Sequence, residues 1–83
     1  MHEWGITQEL IEEIKRQADR NNIKTVTKVE IALGKDSNLT EQDLKMCFEA
    51  LTNNDGILKD CKLQIKKISG WGIIINRIEG ESI

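Results

Sequence analysis

His2 is the one histidine in the sequence, and it sits directly behind the first residue. If Met1 keeps a free amine, then that amine, the His2 amide nitrogen and the His2 imidazole can close fused chelate rings around one metal ion. The Glu3 amide nitrogen or carboxylate can complete a fourth position. A nitrogen-rich, square-planar donor set of this kind suits Ni(II) or Cu(II) better than zinc, calcium or magnesium. Amide nitrogens must lose their protons to bind, and the imidazole must be neutral, so such binding depends steeply on pH. Taken alone, a single histidine beside a terminus is most often just a solvated residue. The spacing of Met1, His2 and Glu3 does not by itself decide between the two.

Other reactive groups are sparse. Cys47 falls on an apolar helix face and Cys61 at the start of a strand. Both are expected to be reduced, small apolar residues, with no second histidine to activate a thiol. Two isolated cysteines and one histidine cannot build a four-ligand zinc site unaided, so no structural zinc is expected. No acid, base and nucleophile set is visible, which argues against an enzyme. Asp36 and Asp43 read as loop and cap residues, and the Glu12-Glu13 and Lys66-Lys67 pairs as solvated faces. Trp4 and Trp71 fit either half-buried packing or contact anchors.

The elements that must carry these residues follow from periodicity. A helix is expected from about Thr7, with Thr7 as its cap, Glu9 in its first turn and Ile6, Leu10, Ile11, Ile14 and Ala18 as one apolar stripe. Asn21-Asn22 should stop it, because Asn tolerates the left-handed conformation of a helix end. Val26 to Leu33 alternates as a half-buried strand, with Val29, Ile31 and Leu33 on one side, and a loop follows from Gly34 to Asn38. Thr40 and Asp43 resemble a capping box ahead of a helix carrying Leu44, Cys47, Phe48 and Leu51. That helix should end near Thr52, before the Asn53-Asn54-Asp55-Gly56 turn. Two more strands complete the chain, one with Cys61, Leu63 and Ile65 alternating, the other with Ile73, Ile74, Ile75 and Ile78. Ser69-Gly70, with Gly72 beyond, suggests a tight hairpin between them.

The order α-β-α-β-β predicts an α+β fold in which two amphipathic helices pack on one face of a small three-stranded sheet. At 83 residues, this is expected to be one domain spanning 1–83. Twelve basic and fourteen acidic residues are interspersed, for a net charge of -2, so the basic patch of a nucleic-acid binder is missing. Phe48 and two tryptophans are the only aromatics, too few for a base-stacking platform. No apolar stretch approaches a membrane span and no leader pattern is present, so a cytoplasmic location without membrane contact is expected.

Met1-His2-Glu3-Trp4-Gly5-Ile6 resembles the opening of the HypA/HybF hydrogenase-maturation nickel metallochaperones. The likeness continues through Val26 to Gly34, similar to that family's strand ending in glycine, and through Leu44 to Thr52, where Phe-Glu-Ala-Leu is typical. Ser69-Gly70 followed by Ile73 to Glu81 is similar to its closing strand. The resemblance implies a carrier of Ni(II), with His2 as the essential side-chain ligand, supported by the Met1 amine and Glu3. It also implies two partners, a HypB-type nickel-inserting GTPase and a hydrogenase large-subunit precursor. One departure is plain. In the family, a loop with two Cys-x-x-Cys pairs separates the last two strands, whereas here Lys66-Lys67-Ile68-Ser69-Gly70 joins them directly. The zinc-binding insertion is therefore absent, and a protein-interaction module with incidental metal binding is the alternative. Open strand edges left by that loss suggest a homodimer formed by strand exchange.

Overall fold

Burial of one apolar stripe sets the first helix. A computed structural model describes residues 3–82, and in it α1 runs Glu3–Arg20 with Thr7, Leu10, Ile11, Ile14 and Ala18 buried. The helix thus opens a full turn earlier than expected. Thr7 is not its cap. Its side chain is fully buried, and its hydroxyl donates to the Glu3 carbonyl at 2.6 Å, a bond back along the helix. Thr7 completes the i, i+3, i+4, i+7 stripe, and Ile6, placed there from the sequence, faces outward at 38% exposure. The stop at Asn21-Asn22 is as expected, with Asn22 in the left-handed region at φ 58°.

The first strand, β1, spans Ile23–Gly34 and is the deepest part of the molecule. Val26, Val29, Ile31 and Leu33 are essentially inaccessible. Helix α2, Glu41–Thr52, is capped by Thr40, whose hydroxyl accepts from the Asp43 amide at 3.0 Å. It buries Leu44, Cys47, Phe48 and Thr52, while Leu51 is exposed. Strands β2, Lys62–Ile68, and β3, Ile73–Ser82, complete a sheet of order β2-β1-β3. Val29 lies beside Leu63 and Ile78, and Ile31 beside Ile65 on one side and Ile75 on the other, so the apolar side chains of all three strands share the helix-covered face. Helix α1 packs over β1 and β3, and α2 over α1 and β2. The expected α+β architecture, with this element order, is what forms.

The expected hairpin between the last two strands does not form. β2 pairs with β1 in parallel and β3 pairs with β1 antiparallel, so the two flank β1 without pairing with each other. The strongly apolar β1 takes the centre, where both its edges are covered, and α2 supplies the crossover that a parallel pair requires. Residues 69–72 must then span two strand spacings, about 10 Å, across the end of β1. Gly34 N donates to Gly72 O at 2.9 Å, Asp36 N to Gly70 O at 2.8 Å, and Gly72 N to Ser37 Oγ at 2.7 Å. Gly34 has to be glycine, because a Cβ there would fall 2.6 Å from Gly70 O.

A second unanticipated piece is the 53–61 segment. The Asp55 carboxylate accepts from the amides of Ile57 at 2.8 Å and Leu58 at 3.0 Å, and it meets Lys15 Nζ of α1 in an ion pair. That clasp drives Leu58 fully into the core. Ile57 O then accepts from Val26 N at 3.0 Å, at the start of β1.

Candidate metal site

Of the three residues proposed to hold metal, Met1 and His2 lie outside the described residues. Glu3 is the first residue of α1. A chelate built from the Met1 and His2 nitrogens therefore precedes this helix in the chain. Among the described residues no group of three or more His, Cys, Asp and Glu is placed to hold a metal ion.

Glu3 does not stand alone. It borders a cleft of about 260 Å³ between the two helices, lined also by Trp4, Asp43, Met46, Cys47 and Ala50. The last four recur at i, i+3, i+4, i+7 and so share one face of α2. That spacing was present in the sequence, but Asp43 was read there only as a cap residue and Cys47 only as core. Burial pushes the Cys47 thiol above its ordinary pKa; the charges of Glu3 and Asp43 push it the same way, and the Thr7 hydroxyl partly opposes them. Both carboxylates thus act on the same thiol.

The two cysteines match the expectation of reduced, packed thiols. Both are free, Cys47 buried and Cys61 partly buried. Burial raises Cys61 to about 11. Its Sγ lies 3.6 Å from the Lys62 carbonyl. Neither thiol is poised as a nucleophile or a ready ligand, since both roles need the thiolate. The tryptophans, by contrast, are exposed: Trp4 at 54% in the first turn of α1, and Trp71 at 83% in the connection that crosses β1. Among the described residues no helix is long and apolar enough to cross a membrane.

Comparison with known proteins bears on what this end of the molecule does. Residues 1–73, which include Met1-His2-Glu3, match the family model described as hydrogenase/urease nickel incorporation, metallochaperone, HypA. The hydrogenase maturation factor HypA of Dehalococcoides mccartyi is 31% identical over 68 residues, covering 82% of this chain and 56% of that protein. The HypA of Shewanella halifaxensis is 40% identical over 63 residues, covering 76% of this chain and 54% of its own length. This chain thus spans just over half the length of these relatives. Among solved structures, the Ni metallochaperone HypA from Helicobacter pylori superposes with a TM-score of 0.82 at 16% identity, over 100% of both chains. A second HypA solution structure gives 0.67 at 18% identity, covering 100% of this chain and 97% of the other. At those identities the structures speak to the fold alone, and the sequence matches carry the assignment: the chain belongs to the HypA family of hydrogenase maturation factors.

Proposed function

We propose that this chain is a nickel carrier that binds one Ni(II) at its N-terminus and hands it on during maturation of a nickel enzyme, without catalysing a reaction itself. The observation that carries this is the family match across residues 1–73, because it includes the Met1-His2-Glu3 triplet and not only the fold behind it. The Met1 amine, the His2 amide nitrogen and the His2 imidazole form the chelate. Glu3 supplies the fourth donor through its amide nitrogen or its carboxylate. Each residue has a distinct task. The amine anchors the first ring, the His2 side chain closes the second, and a square-planar nitrogen set selects Ni(II) or Cu(II) over zinc. Because the Met1 and His2 nitrogens precede α1 and Glu3 is its first residue, metal binds and leaves at the end of the helix. The helix N-terminus carries partial positive charge, which favours deprotonated amide nitrogens, and the Glu3 and Asp43 carboxylates offset its repulsion of the incoming cation.

By the same family membership, the partners are a HypB-type GTPase and the precursor of the hydrogenase large subunit or of a related nickel enzyme. No structural zinc is expected, since Lys66-Lys67-Ile68-Ser69-Gly70 stands where the family has its cysteine-rich insertion.

Calorimetric titration of Ni(II) into untagged protein with a free Met1 amine, beside His2→Ala, tests this. One equivalent should bind, and the substitution should weaken it by more than about 100-fold, beyond what loss of an outer-shell partner costs. Binding that is absent, or indifferent to His2, would instead favour the interaction module, for which the 83% exposure of Trp71 offers an anchor.

A further inference from the structure

The two open edges of the sheet are not alike. β2 carries Lys62, Lys66 and Lys67 and no acidic residue, the charged edge that keeps other strands from adding. β3 has no lysine and no proline along Ile73–Ser82 and is longer. It is also incompletely covered. Between α1 and β3 lie an apolar trough of about 560 Å³, lined by Ile6, Leu10, Ile73 and Ile75 among others, and a smaller hollow of about 300 Å³ that reaches Ile78.

The charges on β3 are arranged symmetrically about Ile78. Arg77 precedes it and Glu79 follows it, the first exposed and the second partly so, and the two meet within one strand at 2.7 Å. In an antiparallel pair of identical strands centred on Ile78, Arg77 faces Glu79 of the partner subunit, Glu79 faces Arg77 of the partner subunit, and the two Ile78 side chains meet on the axis. Opposite charges facing each other across a ladder stabilise it. The bulge at Asn76, where the β1 register skips from Arg77 to Ile75, lies just outside this triplet.

We propose that β3 is a dimer interface at which a second copy of this chain adds its own β3 antiparallel about a two-fold axis at Ile78. The sheet becomes continuous through both copies. No segment changes place, so this is strand addition and not strand exchange. Pairing of the same edge on each copy is self-complementary and closes, whereas a lysine-guarded β2 edge blocks growth into a filament. It is independent of metal binding.

Sedimentation equilibrium on the wild-type chain, Arg77→Glu, Glu79→Arg and the double exchange tests it. Either single substitution places like charges opposite each other twice and should weaken the dimer by about tenfold or more. The double exchange should restore it to within about threefold, since the same pairs return with their signs reversed. A wild-type chain that stays monomeric up to about millimolar concentration would overturn the proposal. So would a dimer indifferent to the single substitutions or not rescued by the double one. Where a single variant unfolds at dilution, hydrogen exchange of the wild-type chain decides. Amides of residues 74–82 gaining protection with concentration support the interface, and gain on β2 instead, or on neither strand, refutes it.

Discussion

At the scale of the residue, Asp55 shows how one carboxylate can hold a segment that has no regular structure. Burial works against its charge, but the Lys15 ammonium and the amides of Ile57 and Leu58 outweigh burial and hold the carboxyl below its ordinary pKa. A carboxyl depressed by folding stabilises the protein above its unfolded pKa, about 3.9 for Asp. That stability is lost as the pH falls through the lower folded value. Asp55→Asn should therefore cost about 1–2 kcal/mol in urea denaturation at pH 7, with the difference from the wild type shrinking toward pH 3. A difference that stays constant over that range would show that the charge does not matter. The thiols allow a second check. With Cys61 held near 11 by burial, about one thiol in a thousand is ionised at pH 8. Neither it nor the buried Cys47 should react with a disulfide reagent in the native state until denaturant is added. Rapid native labelling would contradict the packing described for them.

At the scale of the element, the sequence was legible where a single period governed. The helix-covered faces of β1 and β2, the Thr40 cap, the Asn22 stop and the Leu44-Cys47-Phe48 stripe each follow from local spacing and local hydrogen bonding. The start of α1 was misread because Thr has two roles, as a cap and as a back-bonded residue. Only the packing of Thr7 against the core chooses between them. The hairpin was misread because Ser69-Gly70 and Gly72 look the same whether they turn between neighbours or step over a third strand. The deciding information lay 35 residues away, at Gly34. Since the crossing backbone leaves no space for a side chain there, Gly34→Ala should cost about 1–3 kcal/mol, read from the thermal or urea midpoint. A neutral substitution would mean that residues 69–72 are free to move off β1. The same geometry accounts for how a chain lacking the cysteine-rich insertion can still close its sheet. Four residues suffice for the crossing, and they are fastened to the 34–37 turn by three hydrogen bonds.

At the scale of the whole molecule, the chain matches its family from its first residue, and the matched stretch covers only 56% and 54% of the two relatives compared above. What sequence could convey about the N-terminal end was its donor chemistry and its family likeness. What it could not convey was the company Glu3 keeps, because Asp43, Met46 and Cys47 arrive on a different helix. The resulting cleft brings the carboxylates of Glu3 and Asp43 together with Met46 and Cys47. The most direct measurement is the visible absorbance of the Ni(II) complex, recorded from pH 6 to 9, for protein with a free Met1 amine and for the same protein with that amine acetylated. The free-amine form should develop the band of a square-planar nickel centre as the amide nitrogens deprotonate, and the acetylated form should not. An identical band in both would place the nickel elsewhere and contradict the N-terminal chelate.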